Sequence, residues 1–94
     1  MKISRNDEAN LPDFSSHDEA RKYFKNQYGD RFVMMSSEMI DEQKVYFYSL
    51  LLDPETFHEG QKKLSQGETV NGLALLNSYQ SVEIFEDGQI HIIH

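Results

Sequence analysis

Hydrophobic and polar positions alternate most cleanly in the stretch SVEIFEDGQIHIIH, residues 81–94. Alternation of this kind predicts strands with one buried face, and Glu-Asp-Gly in the middle predicts a hairpin. Burial chooses between two registers. A two-residue Asp87-Gly88 turn pairs Phe85 with Ile90 and mixes apolar with polar residues on each face. A three-residue Glu86-Asp87-Gly88 loop pairs Ile84 with Ile90 and Val82 with Ile92. One face is then wholly apolar, and the other carries Glu83, Phe85, Gln89 and His91. Gly88 falls at the third loop position, which such loops place in the left-handed region. A slip of one residue would turn the isoleucines to solvent, so the second register is expected.

The period changes to that of a helix in SSHDEARKYFKNQYGD, residues 15–30. Ala20, Tyr23, Phe24 and Tyr28 form one apolar stripe. Ser15 or Ser16 supplies an N-cap, and Ser16 with Glu19 has the spacing of a capping box. Asp18 and Glu19 suit the positive end of the helix dipole, and Gly29 suits the C-terminal cap.

RFVMMSSEMI (31–40) and KVYFYSLLL (44–52) predict two antiparallel strands joined by a short turn at Asp41-Glu42-Gln43. The second is apolar on both sides. Val45, Phe47 and Leu51 point one way; Tyr46, Tyr48, Leu50 and Leu52 point the other. A strand buried on one face only would alternate, so this one is central, or its second face meets something else. Asp53 as cap with Pro54 following opens a short helix with Phe57 and Leu64 as its apolar face, weakened by Gly60. VNGLALLNSYQ (70–80) reads equally as a helical turn, with Val70, Leu73, Ala74 and Asn77 on it, or as the start of a strand.

The expected fold is α+β: an N-terminal helix packed on one antiparallel sheet of about four strands, in the order α-β-β-α-β-β. Residues 1–13 are polar with a Leu11-Pro12 pair and are expected to form a flexible arm, with residues 14–94 as a single domain.

Composition narrows the function. The 94 residues contain no cysteine, which removes disulfides, thiolate metal sites and a cysteine nucleophile. The absence fits a reducing cytoplasm, the expected location. No apolar run approaches a membrane span of about twenty residues, and no signal-peptide core follows the N-terminus. The net charge of −7 is uneven. Residues 1–52 hold nine acids and seven bases, or −2; residues 53–94 hold seven acids and two bases, or −5. An acidic surface disfavours nucleic acid and attracts basic partners, although solubility is the simpler reason for such charge. Arg21, Lys22 and Lys25 share the first helix with Asp18 and Glu19, as on an ordinary solvated face.

No constellation for catalysis stands out. There is no Gly-x-Ser-x-Gly elbow and no glycine-rich phosphate loop with a lysine. His91 and His94, three apart on a strand, point to opposite faces, and His91 is expected across from Glu83; no metal site and no cofactor are predicted. His17 and His58 are expected to be solvated. The informative group is Tyr46 and Tyr48, alternating with Leu50 and Leu52. Such a face is either covered core or an interface, where tyrosine is enriched. The candidate partner-binding residues are Tyr46, Tyr48, Leu50, Glu83 and Phe85.

EARKYF (19–24), KVYFYS (44–49) and GLALLNSYQSVEIFEDGQIHII (72–93) resemble the small bacterial immunity proteins of cystatin-like α+β fold. The likeness spans residues 16–94 and lies in a leading helix, an aromatic second strand and a closing hairpin with a glycine turn. The Gly-Asn-x-Pro usual before that family's third strand is not present. The resemblance implies a cytoplasmic protein that binds and neutralises a toxin, often a basic enzyme. The expected function is therefore a non-enzymatic protein-binding domain. Two alternatives stand beside it: a homodimer that uses its sheet face as the interface, and a small hydrolase or ligand-binding domain.

Overall fold

The computed structural model describes residues 2–69 and 72–94. Four antiparallel strands form one sheet in chain order: β1 (Phe32–Ile40), β2 (Gln43–Leu51), β3 (Tyr79–Phe85) and β4 (Ile90–Ile92). Helices α1 (Arg5–Ala9) and α2 (His17–Tyr28) precede the sheet; α3 (Pro54–Ser65) and α4 (Gly72–Leu76) lie between β2 and β3. The expected class and single sheet are present. The expected helix order is too simple, with one short helix added at the start and one in the middle.

The closing hairpin has the register that burial selects. Ile84 pairs with Ile90, Glu83 with His91 and Val82 with Ile92. Phe85 N–H donates to the Gln89 carbonyl, and Gly88 N–H to that of Phe85. Gly88 has φ +94°.

The first hairpin is tighter than expected. Ile40 pairs with Gln43, which leaves Asp41 and Glu42 as a two-residue turn with φ of +50° and +67°. Two left-handed residues in succession define the turn whose twist suits antiparallel strands. No glycine stands in it. A bulge between Met34 and Ser36 interrupts β1.

Helix α2 covers one face of the sheet. Ser16 caps it by accepting from Glu19 N–H. The capping box does not close, because the Glu19 carboxylate accepts instead from the Ser15 hydroxyl at 2.8 Å. Ala20 and Phe24 from the predicted stripe are fully buried against Phe32, Tyr48, Leu50, Val82, Ile84 and Ile92. Tyr23 and Tyr28 pack at its margin. Phe24, Phe32 and Tyr48 stack in series, with centroids 5.0 and 4.5 Å apart. Burying an aromatic ring of this size contributes about 1.5–3 kcal/mol.

Residues 2–13, in the segment read from sequence as an arm, include a core side chain and a short helix. Ile3 is in the core, and α1 follows it with a closed capping box between Ser4 and Asp7. The physical reason lies on β3. The buried Gln80 side chain accepts from Ile3 N–H at 2.8 Å and donates to the Ile3 carbonyl at 2.9 Å. One amide thus satisfies both backbone groups of Ile3, as a neighbouring strand would. Helix α1 is tied further by a 2.7 Å contact between Glu8 and His94.

Asp53 caps α3 by accepting from Thr56 N–H, with Pro54 next to it as expected. Phe57 is buried, but Leu64 is exposed. Residues 72–76 are helical and Tyr79 begins a strand, so both readings of 70–80 apply in succession. Val70 lies outside the described residues.

Candidate functional site

The two faces of β2 have different fates. Tyr46, Tyr48 and Leu50 lie under α2. Tyr48 is 3% exposed and Leu50 not at all. Glu83 and Phe85 pair with Phe47 and Val45, on the opposite face. The five predicted contact residues therefore do not make one surface, and Tyr48 and Leu50 are core. A strand apolar on both sides did not reveal which side the helix takes.

His17, expected to be solvated, organises the margin of that core. Its ring stacks on Tyr46, with centroids 3.5 Å apart and planes within 5° of parallel. Its Nε2 lies 2.7 Å from the Tyr48 hydroxyl, which donates to it when the ring proton is on Nδ1. Lys44 Nζ lies 5.1 Å from the centre of the Tyr46 ring. Partial burial, helped by the charge of Arg21, holds the His17 pKa below the ordinary histidine value. Burial likewise pushes the Tyr48 phenol above its ordinary value. The pair is thus neutral near pH 7 and bridges α2 to β2.

The other face is only partly covered. Helix α3 lies over one end, where Phe57 meets Tyr79 edge to face at 5.4 Å. Beside it Ser49 pairs directly with Ser81, and the next pair along on that face is Phe47 with Glu83. Two small residues side by side lower the surface between two rows of larger ones. The result is a trough of about 290 Å³. Phe47, Phe57, Gln61, Tyr79 and Glu83 line it around the two serines, with Met35 and Ile93 at its margin. Neither serine hydroxyl has a hydrogen-bond partner among the described residues. His91 Nδ1 sits 3.0 Å from one Glu83 carboxylate oxygen, as the register predicts.

Next to the trough, β1 beyond Val33 is open to solvent. β1 is an edge strand, and its residues 34–40 are all exposed. Met34 is 57% and Met39 65% exposed, and Met35 and Ile40 are also open. Glu38, Asp41 and Glu42 stand exposed among them. Soluble chains commonly protect such an edge with charge, proline or a bulge, and here only the bulge near Met35 and a few acids do so.

His91 and His94 are held apart, by Glu83 and Glu8 respectively. His58 is exposed. Among the described residues no group of three or more histidine, aspartate or glutamate side chains could hold a metal ion. No described helix is long and apolar enough to cross a membrane. Sequence reasoning missed His17 and the trough residues Ser49, Ser81, Phe57 and Tyr79. The trough depends on the β2–β3 register, which joins residues about thirty positions apart. Comparison with protein-family models, with curated proteins and with solved structures finds no match.

Proposed function

We propose that this chain is a non-enzymatic protein-binding domain, and that its contact surface is the β1–β2 hairpin with the open sheet face beside it. The observation that carries this reading is the state of β1. Met34, Met35, Met39 and Ile40 are exposed along an unpaired strand edge. They lie on both faces of that strand, Met35 and Ile40 on the trough side and Met34 and Met39 on the α2 side, so the exposed apolar feature is the strand edge as a whole, and such features mark interaction surfaces. Glu38, Asp41 and Glu42 on the same hairpin, within a net charge of −7, favour a basic partner. A cytoplasmic toxin neutralised by this chain is the more specific form of the reading, in keeping with the resemblance to immunity proteins.

The test is affinity capture from the source cells with two baits, the natural chain and a Met39→Asp, Ile40→Asp variant of matched thermal midpoint. A basic protein held by the first and lost from the second supports the reading, and co-expression then asks whether the chain suppresses that protein's toxicity. Equal capture by both baits removes the hairpin as the contact surface. Concentration-dependent dimer formation on sizing, abolished in the variant, would replace the foreign partner by a second copy.

A further inference from the structure

The trough on the open sheet face is chemically more specific than an apolar patch. We infer that it is an anchor site for an arginine side chain of the partner, a deepening that rests on the protein-binding reading. The floor is the Ser49–Ser81 pair, with two hydroxyl groups free to accept hydrogen bonds. Three aromatic residues, Phe47, Phe57 and Tyr79, line it. Glu83 borders the trough, and His91 contacts only one of its two oxygens.

Each feature selects the same group. A guanidinium is planar, weakly hydrated and stacks on aromatic rings, whereas an ammonium is a compact and strongly hydrated charge. Its five N–H groups in a fixed fork match a carboxylate on one side and hydroxyl acceptors on the other. At about 290 Å³ the trough is at the lower limit of small-molecule sites, which run from roughly 300 to 1,000 Å³. It has room for one long side chain and not for a large cofactor. The local charge agrees, since Glu83 is the one charged side chain that lines the trough and no lysine or arginine lines it among the described residues. Anchors of this kind, one arginine in a ring-lined pocket, are typical centres of protein interfaces.

The experiment uses the free chain and needs no partner. N-acetyl-arginine methylamide is titrated into the isotope-labelled protein, with the lysine and the neutral citrulline analogues as comparisons. The expected result is saturable shifts at the amides of Phe47, Ser49, Ser81 and Glu83, in the millimolar range. Citrulline should produce none, and lysine should bind more weakly. Glu83→Gln should weaken arginine binding by about tenfold, in line with loss of a charge-assisted fork. Ser81→Ala should weaken it less and leave the thermal midpoint in place. Citrulline binding as well as arginine, lysine binding as tightly, or an unaffected Glu83→Gln chain would each overturn the assignment. A failed titration leaves the hairpin surface standing, and a failed capture leaves the titration standing.

Discussion

Replacing Gly88 by alanine tests how the closing hairpin is locked to the start of α2. Two effects add. With φ at +94°, the residue lies where a side chain is strained, and moving alanine into such a conformation costs about 1 kcal/mol. A methyl group at Gly88 would also press on the Phe14 carbonyl group and come within 2.9 Å of the Ser16 amide nitrogen. Both neighbours are backbone, in the segment that caps α2. They cannot rotate away as a side chain would, so strand or cap must shift, and overpacking of this kind costs about 1–3 kcal/mol. The expected loss for Gly88→Ala is therefore about 2–4 kcal/mol. Gly67 supplies the control. Its φ is +74°, and a methyl group there meets nothing within 4 Å. Gly67→Ala should show the conformational part alone, about 1 kcal/mol. Urea denaturation of both variants measures the difference. Equal losses would refute the idea that the hairpin turn is clamped against residues 14–16.

Three further outcomes follow from the same structure. Glu42→Gly should stabilise the fold by roughly 0.5–1 kcal/mol, because Asp-Gly is the favoured pair for a turn with two left-handed residues; a lower urea midpoint would contradict the turn assignment. His17 is held neutral in the fold, so the unfolded chain binds the extra proton. Its contribution to stability is complete above the ordinary histidine range and falls as pH drops from about 7 towards 5. His17→Phe should flatten that part of the thermal midpoint curve. The decline below pH 4 should remain, since hydrogen bonds from Ser4, Arg21 with Lys22, and Thr56 hold the carboxyls of Asp7, Asp18 and Asp53 below their ordinary value. Tyr48→Ala should cost about 3–5 kcal/mol as a core truncation, whereas a small loss measured in urea would restore Tyr48 as a surface residue.

What was legible in the sequence was local. The α2 stripe and the β3–β4 register rest on periods of 3.6 and 2 within a few residues, and both match the structure. Helix α1 had no apolar stripe to announce it; Ser4 with Asp7 at capping distance was its one local sign. The destination of Ile3 depends on Gln80, far along the chain. The same limit hid the site. β2 is apolar on both sides, and only tertiary packing assigns Tyr48 to the core and Phe47 to the open face. The first-turn position of His17 gave no hint of the two tyrosines on the sheet face beneath it. The trough exists only because Ser49 and Ser81, harmless in their own strands, fall side by side.

The Gln80 amide has a consequence for the order of folding. It joins Ile3 across 77 positions and also donates to the Ile93 carbonyl across 13. Local elements such as α2 and the two hairpins close short loops and form quickly, whereas contacts this distant wait for a much larger loss of chain entropy. During synthesis Ile3 emerges long before its partner exists. The sheet must assemble around β3 before the N-terminal segment has anything to dock on. Ile3 is itself a buried member of the helix-covered core, so release of that segment opens one end of the core to solvent. Gln80 acts as a latch that holds Ile3 in this core, set in β3 directly beside Leu50 and drawing both ends of the described chain to one point of the sheet.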